Sequence, residues 1–81
     1  DIALWVPEDI TDTHVRTLIE DNAGPLLLSI RLFDTFSKDG RTSYAFRLIF
    51  QSSERTLTDA EVGESMQHIS AALMGKHFEI R

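Results

Sequence analysis

The chain has 81 residues, 42% of them hydrophobic and 26% charged, with no cysteine and a net charge of −5. That length makes one small domain, burying about 60% of the surface its unfolded form exposes, and the missing cysteines exclude disulfides and thiol chemistry. No apolar run approaches the roughly 18 residues of a membrane span, no signal-peptide pattern is present, and the acidic sum argues against a nucleic-acid binder, whose usual footprint is basic.

The chain opens without Met on Asp1-Ile2-Ala3-Leu4-Trp5-Val6, which predicts a segment of a longer polypeptide. Ile2, Leu4 and Val6 alternate with Ala3 and Trp5, the period of a half-buried strand, and Pro7 stops it. From Thr11 or Asp12 the period changes. Val15, Leu18 and Ile19 fall at i, i+3 and i+4, predicting an amphipathic helix that Ala23-Gly24-Pro25 ends. Leu26 to Phe36 is the longest β-like stretch, with Leu28, Ile30 and Leu32 on one parity. The turn falls at Ser37-Lys38-Asp39-Gly40, because Asp-Gly tolerates the positive φ of a tight hairpin. Tyr44 to Gln51 returns with Phe46, Leu48 and Phe50 on one parity. Thr58 followed three residues later by Glu61 is a capping box, with Leu57 placed as its hydrophobic staple. The second helix carries Val62, Met66, Ile69 and Leu73 to about Met74, Gly75 closes it, and residues 77–81 form a last strand.

The order β-α-β-β-α-β with a central hairpin predicts an α+β, ferredoxin-like sandwich: a four-stranded antiparallel sheet with two helices on one face. Alternation sends Ile2, Leu4, Val6, Leu28, Ile30, Leu32, Phe46, Leu48 and Phe50 toward the helices. Ala3, Trp5, Ser29, Arg31, Phe33, Ala45, Arg47, Ile49 and Arg81 then share the open face. Residues 8–21 and 59–64 hold eight of the thirteen acids, so the helix side is the acidic side. Arg31 and Arg47 fall opposite or diagonal to each other, which is unfavourable unless an anion or a ring intervenes. Rings and arginines on an open four-stranded sheet suit single-stranded RNA, where rings stack on bases and guanidinium groups hold phosphates. The blander reading is a solvated or docking face, with Trp5 and Phe33 packed on a neighbouring domain.

Other chemistry is poorly supported. His14, His68 and His77 lack metal-ligand spacing, and no P-loop, G-x-G-x-x-G or nucleophile elbow occurs, so catalytic and metal residues are expected to be absent. An acylphosphatase-type site would need an arginine in a glycine-bearing loop after the first strand. The loop is Pro7-Glu8-Asp9-Ile10-Thr11-Asp12, which would repel phosphate. An amino-acid-binding regulatory module has no glycine-rich turn to mark a pocket.

Phe50-Gln51-Ser52-Ser53-Glu54-Arg55-Thr56-Leu57-Thr58-Asp59 resembles the most specific stretch of the ferredoxin-fold anticodon-binding domain, found at the C-terminus of bacterial phenylalanine–tRNA ligase β subunits. Gly24-Pro25-Leu26-Leu27, Leu32-Phe33-Asp34, Ser43 to Leu48 and Glu79-Ile80-Arg81 extend the resemblance over nearly the whole chain. The turn at Lys38 to Arg41 is shorter than the glycine-rich loop commoner in that family. The resemblance implies a non-catalytic accessory domain spanning residues 1–81 that contacts the anticodon region of phenylalanine tRNA. It further implies a cytoplasmic parent ligase, an α2β2 heterotetramer that uses ATP and Mg²⁺ at a centre on its α subunit; this domain itself would hold no cofactor. An architectural module that docks other domains or subunits is the alternative. The candidate RNA-binding residues are Trp5, Arg31, Phe33, Arg47, Arg55 and Arg81. The capping box explains Thr58 and Glu61, whereas Glu54 and Arg55 have no structural explanation in the sequence.

Overall fold

A computed structural model describes residues 1–52 and 55–81. Its elements are β1 (Ile2–Pro7), α1 (Asp12–Ala23), β2 (Leu27–Lys38), β3 (Arg41–Phe50), α2 (Asp59–Gly75) and β4 (Glu79–Ile80). The sheet order is β2-β3-β1-β4, with every pairing antiparallel. This is the expected ferredoxin-like arrangement.

One face of the sheet supplies Ile2, Leu4, Val6, Tyr44 and Phe46 to the core, α1 supplies Val15 and Ile19, and α2 supplies Ile69 and Leu73. Phe46 is fully buried at the centre. Truncating a ring of that kind to alanine typically costs about 3–5 kcal/mol. Tyr44 closes the core's edge by donating its hydroxyl to the Ile10 carbonyl at 2.8 Å, which ties β3 to the loop before α1.

Local chemistry explains the element ends. Thr11 caps α1, its hydroxyl accepting from the His14 N–H at 3.1 Å. Thr58 caps α2 in a complete capping box with Glu61. Leu57 and Val62, at the two positions of a hydrophobic staple on either side of that cap, line one depression with Phe50. At the hairpin, Asp39 and Gly40 have φ of 54° and 77°. They form a two-residue loop of the kind whose twist matches its strands. The turn is therefore shorter than the four residues expected, and β3 begins at Arg41 rather than Tyr44.

Three other expectations need correction. Gly75 does not terminate α2 by itself: it is the last helical residue, and the left-handed position is His77, with φ 64°. The His77 N–H donates to the Met74 carbonyl at 2.9 Å and the Phe78 N–H to the Leu73 carbonyl at 3.1 Å. That pair of bonds is a Schellman motif, and the buried Phe78 and Leu73 supply its hydrophobic contact. The turn uses residues 76–78, so β4 is only Glu79–Ile80, although the Arg81 N–H still donates to the Ala3 carbonyl at 2.8 Å.

Leu28 does not face the helices; it is 62% exposed. The register steps from Leu27↔Phe50 to Ser29↔Ile49, so Leu28 is the extra residue of an irregularity and Leu27 packs on the core instead. A second step lies between Leu32↔Phe46 and Asp34↔Ala45, with Phe33 as the extra residue. Beyond it the parity of β2 is reversed.

Candidate nucleic-acid interface

The register lays out the open face in rows across the strands. Glu79, Trp5, Ser43 and Phe36 occupy one row from β4 to β2. On one side of it lie Pro7, Arg41 and Lys38; on the other lie Ala3, Ala45 and Asp34, with Phe33 beside them. Arg31 and Arg47 pair directly in the next row. Ser29 and Ile49 follow. The sequence thus placed Trp5, Arg31, Phe33, Arg47 and Arg81 together, and the structure brings all five to this face.

Phe36 and Arg41 join the open face although the sequence did not assign them to it. Phe36 has the parity of a helix-facing residue until the irregularity at Phe33 turns it over. Its ring then meets Trp5 edge-on, with centroids 6.1 Å apart. The available signal was Phe33 and Phe36 themselves: two rings three apart fit no strict alternation. Arg41 escaped because the strand was expected to start at Tyr44; with β3 beginning at Arg41, its odd position joins the open face.

Three of the four arginines are held, each in a different way. Arg41 pairs with Glu79 at 2.6 Å and lies 5.0 Å from the centroid of the Trp5 ring. Arg81 donates to the Ser43 hydroxyl at 2.7 Å and lies 5.5 Å from the same ring. Arg47 sits 5.1 Å from the Phe33 ring centroid and 3.3 Å from the Asp1 carboxylate. A ring and an anion together relieve the Arg31–Arg47 juxtaposition. The Arg31 guanidinium has no ion pair or hydrogen-bond partner among the described residues. Exposed ion pairs such as Arg41–Glu79 and Arg47–Asp1 contribute only about 0.2–1 kcal/mol. A phosphate can therefore replace either carboxylate at little cost.

Phe33 and Phe36 are 48% and 52% exposed, and Ile49 is 47% exposed. Trp5 is less accessible, covered on its flanks by Arg41 and Arg81. The small side chains of Ser43 and Ala45 are buried beneath these groups. The face therefore offers accessible phenyl rings toward β2 and a more covered indole toward β4.

Arg55 lies outside this cluster. It pairs with Glu61 at the start of α2, and the same carboxylate accepts from the Thr58 N–H at 3.3 Å. These bonds hold the Glu61 carboxyl well below its ordinary range, down to about 2, with the hydrogen bond from Arg55 the largest cause and the Thr58 backbone next. Arg55 thus acquires the structural explanation its sequence lacked. Glu54 lies outside the described residues.

The sequence pattern of the ferredoxin-fold anticodon binding domain matches residues 1–81. The chain belongs to this family. Among proteins similar to this family member is the phenylalanine–tRNA ligase β subunit of Synechococcus sp. (strain JA-3-3Ab), 40% identical over 99% of the chain and 10% of that protein. The β subunit from Symbiobacterium thermophilum is 35% identical over all of the chain and 10% of that protein. The mitochondrial phenylalanine–tRNA ligase of Saccharomyces cerevisiae is 35% identical over 95% of the chain and 18% of that protein. The anticodon binding domain described here thus spans about a tenth of the β subunits it matches and under a fifth of the yeast ligase. No helix among its described residues is long and apolar enough to cross a membrane.

Proposed function

We propose that this domain binds the anticodon region of phenylalanine tRNA through the open face of its sheet. The observation that carries the reading is the segregation of that face: Arg31, Arg41, Arg47 and Arg81 gather there with the rings of Trp5, Phe33 and Phe36. Eight of the thirteen acids lie instead on α1, the loop before it and α2, while the open face carries Asp34 and Glu79, with Asp1 beside Arg47. Guanidinium groups meet backbone phosphates and exposed rings stack on splayed bases, the chemistry by which proteins recognise single-stranded RNA loops.

In that role residues 1–81 serve as an accessory domain of a larger phenylalanine–tRNA ligase β subunit, which joins an α subunit in an α2β2 enzyme of the cytoplasm. The domain contributes tRNA recognition; ATP and Mg²⁺ serve the aminoacylation centre elsewhere in the enzyme. Arg31, Phe33, Arg47 and Arg81 are RNA contacts in this reading. Arg55, committed to Glu61, is the weakest of the candidates.

The test is a titration of the chain with an anticodon stem–loop RNA across a salt series. Arg31→Ala and Arg47→Ala are each expected to weaken binding and to reduce the slope of log affinity against log salt by about 0.7, one lost contact to single-stranded phosphate. Their deficit is therefore greatest at low salt. Wild-type affinity and slope in both variants would remove the open face from RNA recognition and favour a docking role for it.

A further inference from the structure

Trp5 invites the assumption that the largest ring on an RNA-binding sheet is its principal stacking surface. Its surroundings point elsewhere. Arg41 pairs with Pro7, two residues after Trp5, and Arg81 hydrogen-bonds beside Ala3, two residues before it. The two guanidinium groups therefore approach the indole from opposite ends of β1, at 5.0 and 5.5 Å from its centroid. Phe36 occupies its edge on the β2 side. Each arginine has a second tether: Arg41 to the Glu79 carboxylate at 2.6 Å, and Arg81 to the Ser43 hydroxyl at 2.7 Å.

We infer that Trp5 is a positioning residue, holding Arg41 and Arg81 as a paired phosphate clamp while base stacking falls to Phe33 and Phe36. This rests on the RNA-binding reading above and assigns a role within that same face. A cation over an indole is attracted by the ring's quadrupole, and Trp is the strongest of the aromatic side chains in this respect. Two such contacts hold two flexible side chains in place before RNA arrives, which lowers the ordering cost of binding. Glu79 occupies Arg41 in the free protein as a carboxylate standing where a phosphate oxygen would bind. RNA displaces it, and Arg41 exchanges one charged acceptor for another. Among the described residues Arg81 has no carboxylate partner, its hydrogen bond going to a neutral hydroxyl, so its charge faces the ligand uncompensated within the clamp.

The experiment uses the 81-residue chain, an anticodon stem–loop RNA as the probe, and Trp5 as the sole tryptophan for fluorescence. Arg41→Gln is expected to weaken binding roughly tenfold and lower the salt slope by about 0.7. Trp5→Leu is expected to weaken it roughly tenfold through loss of both cation–π contacts, while Trp5→Phe, which keeps a ring, recovers most of that loss. Glu79→Gln should tighten binding about two- to fivefold, because it frees Arg41 from an exposed ion pair. Glu64→Gln makes the same charge change on α2 and should leave binding near the starting value. Glu79→Gln also removes no core contact, so its result stands even if a Trp5 variant folds poorly. RNA saturation should leave Trp5 emission largely intact in the unaltered chain.

If Trp5 emission is strongly quenched by RNA and Arg41→Gln and Glu79→Gln bind like the unaltered chain, Trp5 is a stacking surface and the clamp is wrong. RNA recognition by the face then still stands. If the unaltered chain shows no binding at any salt concentration, the clamp falls together with the RNA-binding reading.

Discussion

The Glu61 carboxylate receives hydrogen bonds from Arg55 and from both the N–H and the hydroxyl of Thr58, which lowers its pKa from the ordinary 4.5 to about 2. A folded pKa below the unfolded one means that folding favours the ionised form. Its contribution is complete above about pH 4.5 and is lost as pH falls toward 2. Urea unfolding between pH 2 and 6 should therefore show a decline in stability that Glu61→Gln reduces. Arg55→Ala should return the Glu61 titration toward 4.5, which carbon-detected NMR can follow. Thr58→Ala is expected to cost about 1 kcal/mol, the usual penalty for losing an N-cap. His77 offers the opposite opportunity. It holds a left-handed φ of 64° at the Schellman position, where glycine has no Cβ to oppose. His77→Gly should stabilise the domain by about 0.5–1 kcal/mol, seen as a rise in thermal midpoint of roughly 2–8 °C.

Among the elements, the β2–β3 hairpin decides what the open face contains. Alternation correctly placed β1 and β3, because Ile2, Leu4 and Val6 pair in step with Phe46, Tyr44 and Thr42. On β2 it held for Ser29 to Phe33 and failed at Leu28 and Phe36, because the extra residues Leu28 and Phe33 each shift the pattern. A strand's period-two pattern cannot register an inserted residue unless the side chains on both sides contradict it. Irregularities on an edge strand also twist it away from regular pairing with another chain. The capping box, the Asp-Gly loop and the helix faces were legible because each depends on residues close in sequence. The partners of Trp5 were not, since Arg41 and Arg81 lie 36 and 76 positions away along the chain. The turn itself is testable: Gly40 has φ 77°, so Gly40→Ala should destabilise the hairpin by about 1–2 kcal/mol in chemical unfolding.

For the molecule as a whole, net charge and charge placement point in opposite directions. The sum of −5 argues against RNA, yet the sheet face keeps four arginines while the helix side carries most of the acids. Net charge influences approach over long distances; the face determines what binds at contact. If the domain binds tRNA as proposed, its affinity rises when linked contacts elsewhere hold the same tRNA, since the second engagement is then intramolecular. In the larger ligase proposed above, deleting residues 1–81 should therefore lower tRNA affinity more than aminoacylation of saturating tRNA. Single-turnover kinetics can separate those two effects.

Backbone and arginine side-chain NMR shifts, followed as an anticodon stem–loop RNA is added, report directly on which face is used. Perturbations centred on Trp5, Arg31, Phe33, Phe36, Arg41, Arg47 and Arg81, and weakening with added salt, are the expected result. Perturbations centred on α1 and α2 with the sheet face unmoved, or none at saturating RNA, would contradict recognition through the open sheet.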